Sequence, residues 1–219
     1  MYRLVATLVF LISQKPACAD AIGFSPTAER AGWRILAMPG VTPAKFTVDA
    51  DGTLIVVAKA AVGWMWRPVR GRTSDATRAQ WNWRTDEAVG PTDLTRRGAD
   101  DRALAVYFIF NDAAIDAGNP LALITTGSAR ALVYMSGGNR PRGEVVSSPH
   151  MKERGKFIVL RPGDTPHGQW HDEHVDLSSD YTRIFGGKRP PLVAIAISSD
   201  SDDTGGRNSV RFRHLELSQ

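Results

Sequence analysis

Acidic residues cluster at two points of this 219-residue chain, and each cluster adjoins an apolar run. Asp100-Asp101 lead into Arg102 to Phe110, and Leu192 to Ile197 empties into Ser198-Ser-Asp-Ser-Asp-Asp-Thr-Gly-Gly206. In the second stretch Asp200, Asp202 and Thr204 occupy the first, third and fifth positions of a calcium loop, with Gly205 at the turn. The twelfth position is Arg211 rather than a bidentate glutamate, and no helical pattern flanks the loop, which excludes an EF-hand. Two readings stay open. The simpler is an Asx-rich turn whose carboxylates bond their own amides. The other is a structural calcium ion on Asp200, Asp202 and Asp203, aided by oxygens from distant loops. No further cofactor is expected.

Acid–base chemistry on a glycoside needs two carboxyl groups facing one cleft. Adjacent residues of a strand point opposite ways, so Asp100 and Asp101 cannot form that pair by themselves. A salt bridge to Arg84 or Arg102 is their expected role. Trp64 and Trp66 share one strand face, as do Trp81 and Trp83, while Gln80, Asn82 and Arg84 take the opposite face. Tryptophans on a concave sheet can stack on sugar rings. Filling the core is the expectation here, because aromatic burial dominates core energetics. Asn82 and Arg84 then look outward, and a planar guanidinium beside an amide makes a polar ligand clamp. His171 and His174 fall on opposite faces of an extended segment, so they and His167 are not expected to share a zinc ion. There is no Gly-x-Ser-x-Gly elbow and no glycine loop of the phosphate-binding kind.

The elements that must hold these residues are short. Arg3, the run Leu4 to Ile12 and Ala17-Cys-Ala19 have the order of a signal peptide cleaved near Ala19. Nine apolar residues cannot cross a bilayer, which takes about 20, and no other stretch is long enough. A periplasmic or secreted protein is therefore expected, with no membrane span once processed. Its one cysteine, Cys18, would leave with the signal, and thiol catalysis with it. Processing also removes Arg3 and Lys15, taking the formal charge of +4 to +2. The basic residues are 21 arginines and 6 lysines, scattered rather than striped, so no nucleic-acid partner is expected.

From residue 20 to 219 the chain alternates short apolar runs with Gly, Pro, Asn and Asp and shows no linker, so a single domain is expected. Strands are predicted at 33–36, 46–48, 53–58, 64–66, 80–84, 104–110, 121–124, 131–135, 156–160, 170–175, 193–197 and 210–212. Asp49 to Gly52 reads as a hairpin turn. Ser178 or Ser179 is expected to cap the one helix, near 178–185, with Gly186-Gly187 ending it. Residues 136–155, rich in Gly, Pro and charge, read as a long exposed loop. About a dozen strands in 200 residues predict an all-β fold, a two-sheet jelly-roll-like β-sandwich.

In this order, Trp81-x-Trp83-Arg84, Asp100-Asp101, Tyr107, Trp170 with Glu173 and Val175, Asp180-Tyr181, Phe185-Gly186, Ala194 to Ile197 and Asp200-x-Asp202-x-Thr204 resemble an uncharacterised bacterial family, domain of unknown function 3047. The chain departs from that pattern at Ser136 and His174. The resemblance implies an exported β-sandwich and no particular activity.

The leading expectation is non-catalytic binding of a glycan or another cell-envelope ligand. Its contact set is Arg84, Asn82, Trp83, Asp86, Asp101, Tyr134, Trp170 and Glu173. The alternatives are a jelly-roll glycan hydrolase or lyase using acids among Asp86, Asp101, Glu173 and Asp202, or a structural envelope protein. Convergent carboxylates, or a carboxylate with Arg and Tyr, would favour an enzyme. An exposed aromatic platform would favour a lectin-like module, and a flat apolar patch a scaffold. The oligomeric state is not encoded in any of these features.

Overall fold

The computed structural model describes residues 19–36, 38–112 and 127–219, and these form two facing sheets. The predicted signal peptide (but for Ala19) and the predicted strand 121–124 lie outside the described residues.

One sheet has six strands. Its path is β11 (Trp170–Asp176), β6 (Arg78–Glu87), β13 (Arg207–Ser218), β4 (Leu54–Lys59) and β3 (Lys45–Val48), with β1 (Asp20–Ile22) also paired to β13. The other has seven: β2 (Arg34–Leu36), β5 (Val62–Pro68), β12 (Leu192–Asp200), β7 (Arg102–Phe110), β8 (Arg130–Ser136), β10 (Lys152–Arg161) and β9 (Val145–Ser148). Neighbours are antiparallel except β8 and β10, which run parallel. This two-layer, mostly β architecture is the sandwich the alternating runs predict.

The two sheets bury themselves differently. Every residue of β7 is buried, and so are all of β12 but Asp200, because both strands are apolar on both alternating faces. Leu104, Val106, Phe108, Ile195 and Ile197 pack toward the six-stranded sheet. Ala105, Tyr107, Ile109, Ala194 and Ala196 pack the other way, into a second core with Leu94 and Met151. In β6 and β13, by contrast, burial alternates. Trp81, Trp83, Val210 and Phe212 point inward, with Trp81 set edge-on to Trp83 at 5.5 Å. Each such side chain contributes about 1.5–3 kcal/mol on burial. The tryptophan pairs are core, as expected, and the six-stranded sheet keeps a polar outer face.

Local signals explain most element ends. Gly52 (φ 83°) and the bond from Asp49 N–H to the Thr53 carbonyl close the predicted hairpin between β3 and β4. The helix α1 (Leu177–Phe185) starts earlier than predicted and is capped by Asp176, whose Oδ1 accepts the Ser179 N–H at 2.8 Å. Gly186 (φ 73°) ends it. The 136–155 segment corrects the loop prediction, since it contains β9 and the first residues of β10. Three of its glycines, Gly137, Gly138 and Gly155, mark close packing rather than exposure. A Cβ on Gly138 would sit 2.3 Å from Leu94 Cδ1. No described helix is long and apolar enough to cross a membrane.

Candidate functional site

The outer face of the six-stranded sheet is organised around β6, which lies between β11 and β13. Three rows cross it: Trp170, Arg84 and Arg211; then Asp172, Asn82 and Arg213; then His174, Gln80 and Glu216. Directly opposed residues share a face, and Trp81 and Trp83 already take the inner one, so all nine side chains look outward. Arg213 lies over the Trp170 ring with its guanidinium carbon 3.9 Å from the centroid, and Arg84 lies 5.6 Å away. Arg84 Nε donates to Asp86 Oδ1 at 2.6 Å, while Arg211 Nε donates to Asp86 Oδ2 at 3.1 Å. Asn82 donates its amide to Asp172, and its carbonyl oxygen lies 2.7 Å from His214 Nδ1. His214 (φ 52°) sits where the β13 register slips between Arg213 and Glu216, and this irregularity turns its ring onto the polar face. A shallow groove of about 420 Å³ runs past Gln80, Asn82, Asp172, His174, His214 and Glu216.

A second arrangement occupies the mouth of β7 and β12. Arg102 is 3% exposed and faces Asp200 across the strand pair. Its Nη1 donates to the Asp200 carboxylate at 3.1 Å and the Asp100 carboxylate at 3.3 Å, and its Nη2 to the Tyr107 hydroxyl at 3.0 Å. His150 Nε2 lies 3.2 Å from Asp100 Oδ1. These groups form one side of a cleft of about 220 Å³, and Met38, Val41, Val62 and Trp64 form the apolar other side. Burial works against the Arg102 charge, yet Tyr107, Asp200 and Asp100 together hold its pKa above the ordinary value. Burial pushes the Asp200 carboxyl up to about 8, helped by Asp202 and Asp101 and opposed by Arg102.

The predicted calcium set changes membership. Asp200 is taken by Arg102, because the ladder places the two side by side. Asp101 joins instead, and its carboxylate lies with those of Asp202 and Asp203 so that one oxygen of each falls within 4.8 Å of the others. The predicted turn, in which the loop's own carboxylates bond its amides, is replaced by a bond across the fold. Asp101 Oδ2 accepts the Thr204 N–H at 2.8 Å and the Thr204 hydroxyl at 2.6 Å. Burial and the neighbouring acids Asp101, Asp202 and Asp100 raise the pKa of Asp203.

Of the predicted contact set, Arg84, Asn82, Asp86 and Trp170 meet on the outer face. The other four do not reach it. Trp83 is buried and donates its indole N–H to Glu173 at 3.0 Å, and Arg161 Nε donates to the same oxygen at 2.6 Å. Glu173 is therefore a buried brace from β11 to β10, across the two sheets. Tyr134 is fully buried and donates to Asp180 at 2.7 Å. Asp101 is buried in its loop. The acids named for hydrolysis are likewise dispersed: Asp86 on the outer face, Glu173 between the sheets, Asp101 and Asp202 in the loop. The acids that do converge with Arg and Tyr are Asp100 and Asp200. Arg102 was the available signal, since a cation inside an apolar strand requires buried counter-charges. Arg213 and Asp172 follow from the same face count that selects Arg84.

A family profile described as "Protein of unknown function (DUF3047)" matches residues 31–216. The chain belongs to the DUF3047 family. Among curated proteins, nothing matches this DUF3047 sequence. Solved structures of similar architecture include a thermostable cellulase derived from the Cel12A cellulase of Rhodothermus marinus. It is 12% identical, with 92% of this chain and 99% of that one covered and a TM-score of 0.48. A lectin, UEA-II, complexed with galactose is 11% identical over 94% and 99% of the two chains, with a TM-score of 0.45. A family 29 carbohydrate-binding module is 11% identical over 92% of each, with a TM-score of 0.40. Likeness at this level carries no information on ligand or activity.

Two outcomes follow for the DUF3047 cleft. Arg102→Met leaves Asp100 and Asp200 buried without their cation, and chemical denaturation should show a loss of about 3–5 kcal/mol. Asp200 has a folded pKa of about 8 against 3.8 for the free group, so the folded state binds the extra proton. That contribution is complete below pH 3.8 and is lost as pH rises toward 8, with a slope of at most about 1.4 kcal/mol per pH unit. Asp200→Asn, which mimics the protonated group, should match the wild type below about pH 3.8 and exceed it by a growing margin as pH rises toward 8. Parallel stability curves for the two proteins would contradict the assignment.

Proposed function

We propose that this DUF3047 protein is exported and binds a glycan or another cell-envelope ligand, without catalysis, on the outer face of the six-stranded sheet. One observation carries the reading. Trp170, Arg84, Asn82, Asp172 and His214 are assembled on that face beside an open groove. Sugars present hydroxyls that donate and accept, together with apolar C–H faces. Amide, carboxylate, imidazole and guanidinium groups meet the first, and an indole edge or face meets the second. Side chains two apart on β6 stand about 6.6 Å from one another, a repeat suited to an extended chain. Their mutual hydrogen bonds hold them in place before the ligand arrives, which lowers the ordering cost of binding. The N-terminal signal pattern supports export to the periplasm or beyond.

A second reading, glycan hydrolysis, is favoured by the convergence of Asp100, Asp200 and Arg102 in the apolar-walled cleft, with the buried Tyr107 hydroxyl behind Arg102. A scaffold is favoured less. Among the described residues, Ile35 and Met38 are the only large hydrophobic side chains classed as exposed.

Calorimetry and a glycan array with peptidoglycan and capsular fragments test the binding face. The wild type should bind at least one class. Trp170→Ala and Arg84→Ala should each lose about tenfold in affinity while keeping the wild-type circular dichroism spectrum. Silence of the wild type across all ligands removes the proposal. Cleaved oligosaccharides in the same samples, with cleavage lost in Asp200→Asn, would shift it to the second reading.

We also assign calcium to the Asp101, Asp202 and Asp203 carboxylates, a hard oxygen set that the ion would relieve of its mutual repulsion. Saturating calcium should raise the melting temperature by about 5 °C over the chelated protein. Superimposable melts remove the ion.

A further inference from the structure

We infer that the ligand of the six-stranded face is an acidic glycan, a chain bearing uronic-acid carboxylates, and that Arg213 receives the carboxylate. The inference rests on the binding face proposed above and names the class of ligand that face selects.

Arg213 is set apart from its neighbours by its bonding. Arg84 and Arg211 share Asp86, Arg211 also reaches Asp49 at 3.1 Å, and Arg207 pairs with Glu87. Among the described residues Arg213 makes no hydrogen bond or ion pair, and its Nε is buried without a partner. A guanidinium offers five N–H donors and cannot give up its charge. Here no described residue accepts any of them. Asp172, the acid in the same cross-strand row, already accepts the Asn82 amide.

Contact with the ring holds the group in place: its central carbon is 3.9 Å from the Trp170 centroid. A planar acceptor can meet such a fork through two parallel bonds, the geometry of an Arg–carboxylate pair. Charge is distributed unevenly among the three arginines. Arg84 and Arg211 hold ion pairs with Asp86 and Asp49, whereas Arg213 has Asp172 in its row and feels Asp51 only through the field, with an ion pair to neither. A neutral sugar would leave Arg213 as it stands. A sugar carboxylate would fill its fork, stay near Arg84, and leave hydroxyls for Asn82, Asp172 and His214 along the groove.

The test uses the processed full chain and isothermal calorimetry. Its probes are uronic-acid oligosaccharides of several linkages, their methyl esters, neutral oligosaccharides and a sulfated oligosaccharide. The wild type should bind a uronic-acid probe at least tenfold more tightly than its methyl ester, and this preference should shrink as salt is raised. Arg213→Ala should lose about ten- to a hundredfold on the acidic probe and nothing on the ester. Arg213→Lys keeps the charge without the planar fork and should recover only part of the loss. Both variants must melt with the wild type, so that lost binding is not lost folding. Equal affinity for ester and acid, with Arg213→Ala unchanged, overturns the inference and leaves glycan binding intact. Equal or tighter binding of the sulfated probe overturns the carboxylate assignment. Absence of binding to every glycan overturns both this inference and the function it rests on.

Discussion

A sheet apolar on both faces must be covered on both, and that requirement organises this protein. β7 and β12 expose almost nothing, so the seven-stranded sheet needs one cover from the facing sheet and another from the segments that carry Leu94 and Met151. The six-stranded sheet supplies only the first cover. Its own outer face is free to be polar, and the alternation of β6 and β13 makes it so. The asymmetry between the sheets is what leaves one face open and polar, and it determines on which side that face lies.

The same requirement produces the buried charge at the end of the central strands. Where β7 and β12 begin to open, Arg102 enters the second core and brings Asp100, Asp200 and Tyr107 with it. Such a network contributes little net stability when complete and costs much when one member is missing. Burial, reinforced by Asp202 and Asp101 in the adjoining segments, holds the Asp200 carboxyl well above the usual carboxylate range. This arrangement and the outer face of the other sheet are separate sites with different chemistry. One is a half-closed acidic cleft, the other an open face on which one guanidinium, that of Arg213, has no ion pair among the described residues.

Most strands were legible as short apolar runs between turn residues, because period-two burial is written directly in residue type. The failures have physical causes. Residues 136–155 look like loop because glycine suggests exposure, yet Gly138 is needed where the backbone meets Leu94. Asp176, not a serine, caps α1, since both types can accept the Ser179 amide and local sequence does not rank them. Within the site, the outward set Asn82, Arg84 and Asp86 follows from strand parity once Trp81 and Trp83 are inside. Glu173 was misplaced because parity tells which residues share a face and not which face is buried on the edge strand β11, and Tyr134 because β8 lies between β7 and β10 and is buried on both faces.

The sequence alone determined the class of fold, the central position of β7 and β12, and the inward direction of the tryptophan pairs. Hydrophobic pattern is a local property, and these follow from it. Only the tertiary structure decided that Arg213 stacks on Trp170, that Asp200 belongs to Arg102, and that Asp101 rather than Asp200 meets Asp202 and Asp203. Each of these is a contact between strands or loops far apart in the chain. Strand order and register set such contacts, and no run of neighbouring residues specifies either.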